Sequence, residues 1–237
     1  GGTGTYPSGR FSDGPTWAEY LSNDLGLGPH GPSLTGGSNH AWGGAWTDGG
    51  GAVPTLIQQV GGYIGGGGSF QSTDLVALWA GANDFFGTAL DPGGPVNPSI
   101  PVANISTALN LLAGAGTQHV LILNLPDLGS TPQLQGNVGA TSWTLGYNAL
   151  RSNELALQRD ALGITICAAD IFARSADISA NPGNYGLTNA TDPVYPDLIL
   201  DPATSAYWDG IHPTTAVHRV FAQEALDSLC IPEPSVG

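Results

Sequence analysis

The 237-residue chain carries 5 basic and 19 acidic side chains, a net charge of −14, with 36 Gly, 18 Pro and two Cys. That balance excludes a nucleic-acid binder that works by neutralising phosphates, and no apolar run approaches the ~20 residues of a membrane span. Charged residues are only 10% of the chain, so the surface has to be built from Gly, Ser, Thr, Asn and Gln, while an apolar share of 41% suffices for one core.

The first helix signal is Thr16-Trp17-Ala18-Glu19, a capping-box pattern followed by Trp17, Tyr20, Leu21 and Leu25 at helical spacing and a stop at Gly26. Residues 38–42 read weakly as a strand that runs into Gly43-Gly44. Leu56, Ile57, Val60, Tyr63 and Ile64 mark one face of a second helix. The nearly continuous apolar run 75–80 has the pattern of a strand buried on both faces. Val102, Ile105, Leu109 and Leu112 then form a helical stripe, and 119–125 is another buried strand. Trp143, Tyr147, Leu150 and Leu157 lie on a long helix that stops near Gly163, and 164–168 is the next strand. A Pro/Asn/Gly-rich stretch over 179–205 reads as loop, and Val217, Phe221, Ala225 and Leu229 lie on a final helix. Strands alternating with helices predict an α/β, doubly wound fold with a parallel sheet. Cys167 ends an apolar run and reads as a buried thiol, although it and Cys230 allow one disulfide. The five His (30, 40, 119, 212, 218) are scattered and suggest no metal site.

In open parallel sheets functional groups collect past the carboxyl ends of the strands, and three clusters stand there. Gly43-Gly44 could free a backbone N–H for an anion, or be a plain turn. Gly81-Ala82-Asn83-Asp84 could aim the Asn83 amide at a developing oxyanion, or be an Asx-turn leaving a strand. Asp209-Gly210-Ile211-His212 could pair a carboxylate with Nδ1 and leave Nε2 as a base, or be a turn aspartate with a surface histidine.

Taken together and in this order, the glycine turn, Gly-x-Asn-Asp and Asp-x-x-His resemble the SGNH (GDSL) hydrolase family of esterases and lipases. The segment Gly9–Leu21 resembles the stretch that follows the nucleophile region in bacterial secreted members, and Asn124–Pro132 the turn after their fourth strand. The resemblance implies a flavodoxin-like three-layer sandwich with strand order 2-1-3-4-5. It also implies carboxylic-ester hydrolysis on a small-molecule, lipid or carbohydrate ester, and no cofactor. By the same likeness Asn83 and the Gly44 N–H are oxyanion-hole donors, His212 is the general base and Asp209 its orienting group. Asp84 is read as fixing the turn and His218 as packed or surface. The location implied is secreted or in the bacterial cell envelope.

The family's Gly-Asp-Ser nucleophile block does not occur in the chain. Ser8, Ser12, Ser38 and Ser130 match no nucleophile position, so none is assigned, and the first strand likewise has no candidate. With no Met in the sequence, the expectation is an N-terminally incomplete hydrolase domain over 1–230, inactive alone. Ile231–Ser235 resembles the Pro-Glu-Pro start of a C-terminal sorting tail over 231–237. Two other readings keep the fold: a non-catalytic envelope or carbohydrate-binding relative, and a carbohydrate O-acetyl esterase.

Overall fold

Val120, Leu121, Ile122 and Leu123 are all but fully removed from solvent, and the apolar run that contains them forms the middle of a parallel sheet. The computed structural model describes Tyr6, residues 9–89 and residues 93–230. These fall into two compact units. Residues 40–125, 146–169 and the segment from Ser228 make one; residues up to 39, 126–145 and 170–227 make the other.

In the first of these, β1 (Leu75–Leu78), β2 (His119–Leu123) and β3 (Thr165–Ala169) pair in parallel in the order β1-β2-β3. Leu75 stands opposite His119, and His119 opposite Thr165. β2 is paired on both sides and buried. Among the described residues β1 is paired on one side only, and Ala77 is exposed. The burial on both faces expected for 75–80 is therefore incomplete at β1, where Leu78 is buried and Ala77 is not. Helix α2 (Leu56–Gly65) opens on a capping box, with Thr55 N–H on Gln58 Oε1 at 3.0 Å and Gln58 N–H on Thr55 Oγ1 at 3.3 Å. It packs on α4 (Ser99–Gly114), whose buried Val102, Ile105, Leu109 and Leu112 are the stripe read from the sequence. A short helix, α3 (Ala82–Thr88), follows β1 after residues 79–81, where a helix was not expected. The long helix α5 (Val138–Leu162) contributes Tyr147 and Leu155 to the core. Its Asn148 amide satisfies both the N–H and the C=O of Leu125, at 3.0 and 2.9 Å.

Cys167 is bonded to Cys230, with Cα atoms 5.5 Å apart. This corrects the reading of Cys167 as a buried thiol: an apolar run reports burial, but it carries no information on which distant segment returns to β3. Closing a span of 63 residues restricts the unfolded chain by about 4 kcal/mol in the loop-entropy model.

In the other unit, α1 (Trp17–Asp24) begins with the expected capping box, Thr16 N–H meeting Glu19 Oε2 at 2.8 Å, and packs along α7 (Thr215–Asp227). Trp17 and Leu21 of α1 and Val217, Phe221 and Ala225 of α7 are buried in that core. One helix and two strands here were not anticipated. Helix α6 (Ile171–Ala180) is capped by Asp170 on Ala173 N–H at 3.0 Å and held to α7 by an Arg174–Glu224 ion pair at 2.6 Å. β4 (Asn189–Pro193), inside the stretch read as loop, pairs in parallel with β5 (Ser205–Tyr207), which begins where that stretch ends. The strand expected at 38–42 does not form. Asn39 instead closes a turn, giving its N–H to Gly31 C=O and its C=O to Ser33 N–H. Residues 231–237, which hold the Pro-Glu-Pro motif, lie outside the described residues. No described helix is long and apolar enough to cross a membrane.

His218 on α7 is buried, and its Nδ1 accepts the Trp17 N–H at 3.3 Å. Burial, reinforced by the nearby His212, holds its imidazole down to about 3. It is neutral when folded and free to protonate when unfolded, so acid favours unfolding. We expect stability to fall between pH 6.5 and 5 by up to ~1.4 kcal/mol per pH unit. His218→Asn should flatten that slope in denaturant titrations at several pH values.

Candidate active site

The loop from Ser205 to Thr214 goes out and back on itself. β5 leads outward, Tyr207 bridges Pro213 on the return, and Thr214 N–H reaches Ala206 C=O at 3.0 Å. Trp208 N–H closes on His212 C=O at 2.8 Å, and Gly210 C=O takes the Gln133 N–H at 2.8 Å. Asp209 and His212 stand at the tip of this loop. Asp209 Oδ1 accepts the N–H groups of Ile211 and His212 at 2.9 and 2.7 Å, an Asx-type turn. The same carboxylate faces His212 Nδ1, with Oδ2 at 2.8 Å. The turn and the carboxylate–Nδ1 contact thus occur together: the turn is what delivers the carboxylate to the ring.

A carboxylate only accepts, so Nδ1 carries the proton and Nε2 is left with its lone pair. Asp209 is 7% exposed, whereas a third of the His212 side chain remains open to solvent. Burial alone raises the Asp209 carboxyl. The hydrogen bond and charge of His212, with the two backbone N–H groups, outweigh it and hold the carboxyl down to about 2. Two further side chains complete the pair's surroundings. Tyr6 donates its hydroxyl to Asp209 Oδ2 at 2.8 Å, and Phe11 stacks on the His212 ring with centroids 4.9 Å apart. Neither was singled out from the sequence; both lie some 200 residues from their partners, and no local pattern signals such contacts.

The other unit holds Gly44 and Asn83. Ala45 N–H closes a turn on Trp42 C=O at 3.2 Å, and Gly44, at φ 81°, occupies the left-handed position that favours glycine. Gly81 has φ 112°, and a Cβ there would lie 2.6 Å from the Tyr147 ring and hydroxyl. Only glycine lets the chain turn from β1 into α3 at this point. Asn83, in the first turn of α3, gives one amide hydrogen to Ala45 C=O at 3.1 Å, which sets it beside the Gly44 turn and leaves its second hydrogen for another acceptor. Asp84 is buried, and its carboxylate takes both the N–H and the hydroxyl of Thr47, at 3.0 and 2.5 Å. Burial raises the Asp84 carboxyl while the Thr47 hydrogen bonds oppose that rise. Asn104 donates to the same Thr47 hydroxyl at 2.9 Å. Thr47 and Asn104 were also missed, being polar residues with no motif around them.

The serines set aside earlier have other partners. Ser12 is buried and donates to Pro213 C=O at 3.1 Å, Ser38 meets His30 Nδ1 at 2.8 Å, and Ser130 donates to Asp127 C=O at 2.7 Å. Ser8 lies outside the described residues. Among the described residues no serine hydroxyl is bonded to the His212 ring.

The sequence profile of the GDSL-like Lipase/Acylhydrolase family matches residues 1–225. The chain belongs to this family. It is similar to the phosphatidylcholine-sterol acyltransferase of Aeromonas hydrophila, at 26% identity over 93% of this chain and 80% of that protein. It is also similar to the thermolabile hemolysin of Vibrio parahaemolyticus, at 25% identity over 93% of this chain and 56% of that protein. The secreted effector protein SseJ of Salmonella typhimurium is 27% identical over 92% of this chain and 55% of its own length. The chain thus spans little more than half of the latter two. Membership of the GDSL-like family gives it a hydrolase identity of the esterase and lipase type.

The Asp84–Thr47 contact can be tested without substrate. Thr47→Val removes a hydroxyl from a buried carboxylate, and we expect a loss of ~1.5–3 kcal/mol in urea unfolding, as for hydrogen bonds to charged groups.

Proposed function

We propose that the protein hydrolyses carboxylic esters through an acyl-enzyme, with His212 as general base and Asp209 as its orienting group. Gly44, through its N–H, and Asn83, through its side-chain amide, are the proposed oxyanion donors. The observation that carries this reading is the 2.8 Å contact between Asp209 Oδ2 and His212 Nδ1, made by a buried carboxylate to a partly exposed ring. In that arrangement Nε2 takes the proton of a serine hydroxyl as its oxygen attacks the ester carbonyl. The imidazolium so formed is stabilised by Asp209 and passes the proton to the departing alcohol, leaving the acyl-serine. Water, deprotonated by Nε2, then releases the acid and restores the serine. Neutral donors such as an amide and a backbone N–H suit the oxygen that becomes negative in each step.

The serine is the part these 237 residues do not supply in the family's Gly-Asp-Ser form. We place the nucleophile on a Gly-Asp-Ser strand outside them and treat residues 1–230 as one catalytic domain that is inactive without it. The family match over 1–225 supports the domain reading. The Cys167–Cys230 bond, together with relatives described as a hemolysin and a secreted effector, supports a secreted or cell-envelope location. A lipid or carbohydrate ester is the substrate class the reading allows.

A p-nitrophenyl ester assay decides. The 237-residue chain should show no turnover above background, and a longer form carrying an N-terminal Gly-Asp-Ser strand should turn over. In that form His212→Asn should lower kcat by at least ~10³ and Asp209→Asn by a similar order. Robust turnover by the short chain would overturn the account of the nucleophile.

A further inference from the structure

Asp209 distributes its two oxygens unequally. Oδ1 is engaged by the backbone N–H groups of Ile211 and His212, contacts built into the loop itself, and lies 3.0 Å from His212 Nδ1, farther than Oδ2. Oδ2 is shared by two side chains at equal distance, the Tyr6 hydroxyl and His212 Nδ1, each at 2.8 Å. The tyrosine arrives from 203 residues away, with Phe11 from the same segment 5.0 Å from its ring and stacked on His212. One short stretch of chain therefore touches both members of the pair.

We propose that Tyr6 is a positioning residue, whose hydroxyl competes with His212 for Asp209 Oδ2 and so sets how strongly the carboxylate binds the imidazole. This rests on the proposed role of His212 as base. A hydroxyl donated to a carboxylate draws off part of its negative charge and fixes the plane of the group. With Tyr6 present, Asp209 is held in the orientation that meets Nδ1. Without it, more of the carboxylate's charge falls on the Nδ1 proton, the imidazolium is favoured, and His212 titrates at higher pH. The base is then more often protonated before reaction and less firmly aimed.

The groups around His212 leave this interaction to dominate. On its own loop the facing charge is Asp209. On α7, His218 is kept neutral by burial. Arg10 and Glu19 are occupied with each other at 2.5 Å. Tyr195 lies with its ring 6.1 Å from that of Tyr6. The Tyr6 hydroxyl itself is pushed up to about 12, by burial first and then by Asp209, so it stays a donor across the range in which histidine titrates.

The test uses the 237-residue protein and NMR titration of its histidines, with the His212 resonance assigned through His212→Asn. In Tyr6→Phe we expect the His212 midpoint to rise by about half a pH unit, with His30, His40 and His119 unmoved. A His212 midpoint unchanged in a folded Tyr6→Phe protein overturns the proposal. If that variant does not fold, the wild-type protein still decides through the ring-carbon resonance of Tyr6. A hydroxyl still protonated at pH 11 supports the shared contact, and one that ionises with ordinary tyrosines near ~10 overturns it. Neither readout depends on ester turnover, so the loss of the hydrolase reading in the p-nitrophenyl assay and the loss of this one are separate results.

Discussion

A carboxylate taken out of water has to have every lone pair answered, and Asp209 shows what that demand does to the chain around it. Its oxygens draw in two consecutive backbone N–H groups, an imidazole and a phenol. The backbone bonds bend residues 209–212 into a turn, the turn brings the ring round to the carboxylate, and the phenol ties an N-terminal segment to the same point. The cost of desolvating the charge is offset by these donors, and the carboxyl remains ionised to low pH. A carboxylate–imidazole contact of this kind would contribute little on an open surface. Here its value lies in fixing one tautomer of His212 and one direction for Nε2.

Asp84 works in the same way in the other unit. It is buried, it answers its charge with the N–H and hydroxyl of Thr47, and it thereby ties the stretch that follows the Gly44 turn to the first turn of α3. Asn83 is the neighbour that benefits, since its amide then meets Ala45 C=O beside Gly44. The difference in chemistry follows from the difference in donors. Asp209 is paired with a group that can take a proton, and Asp84 with one that cannot at ordinary pH, so the first is the one proposed for chemistry.

Much of this was legible in the residues. The capping box at Thr16, the apolar stripe of α4 and the strand read at 119–125 all depend on neighbours within a turn or on strict apolar continuity, and such signals survive in one dimension. The Asp-x-x-His contact was legible for the same reason, being four residues long. The misreadings share an opposite cause. Residues 38–42 looked extended, but Asn39 found backbone partners at Gly31 and Ser33 and became a turn. β4 and β5 are short, carry few apolar residues and stabilise each other across an intervening loop, so neither announces itself alone.

By itself, the sequence determined the alternation of strands and helices, the family and the identity of the residues proposed for chemistry, because each rests on periodicity or on short motifs. Only the tertiary structure decided that Cys167 meets Cys230, that Tyr6 reaches Asp209, that Phe11 covers His212 and that Thr47 answers Asp84. Those partners are separated by 37 to 203 residues. Contacts at such range are set by the path of the whole chain through its core, and no local pattern of residue types encodes them.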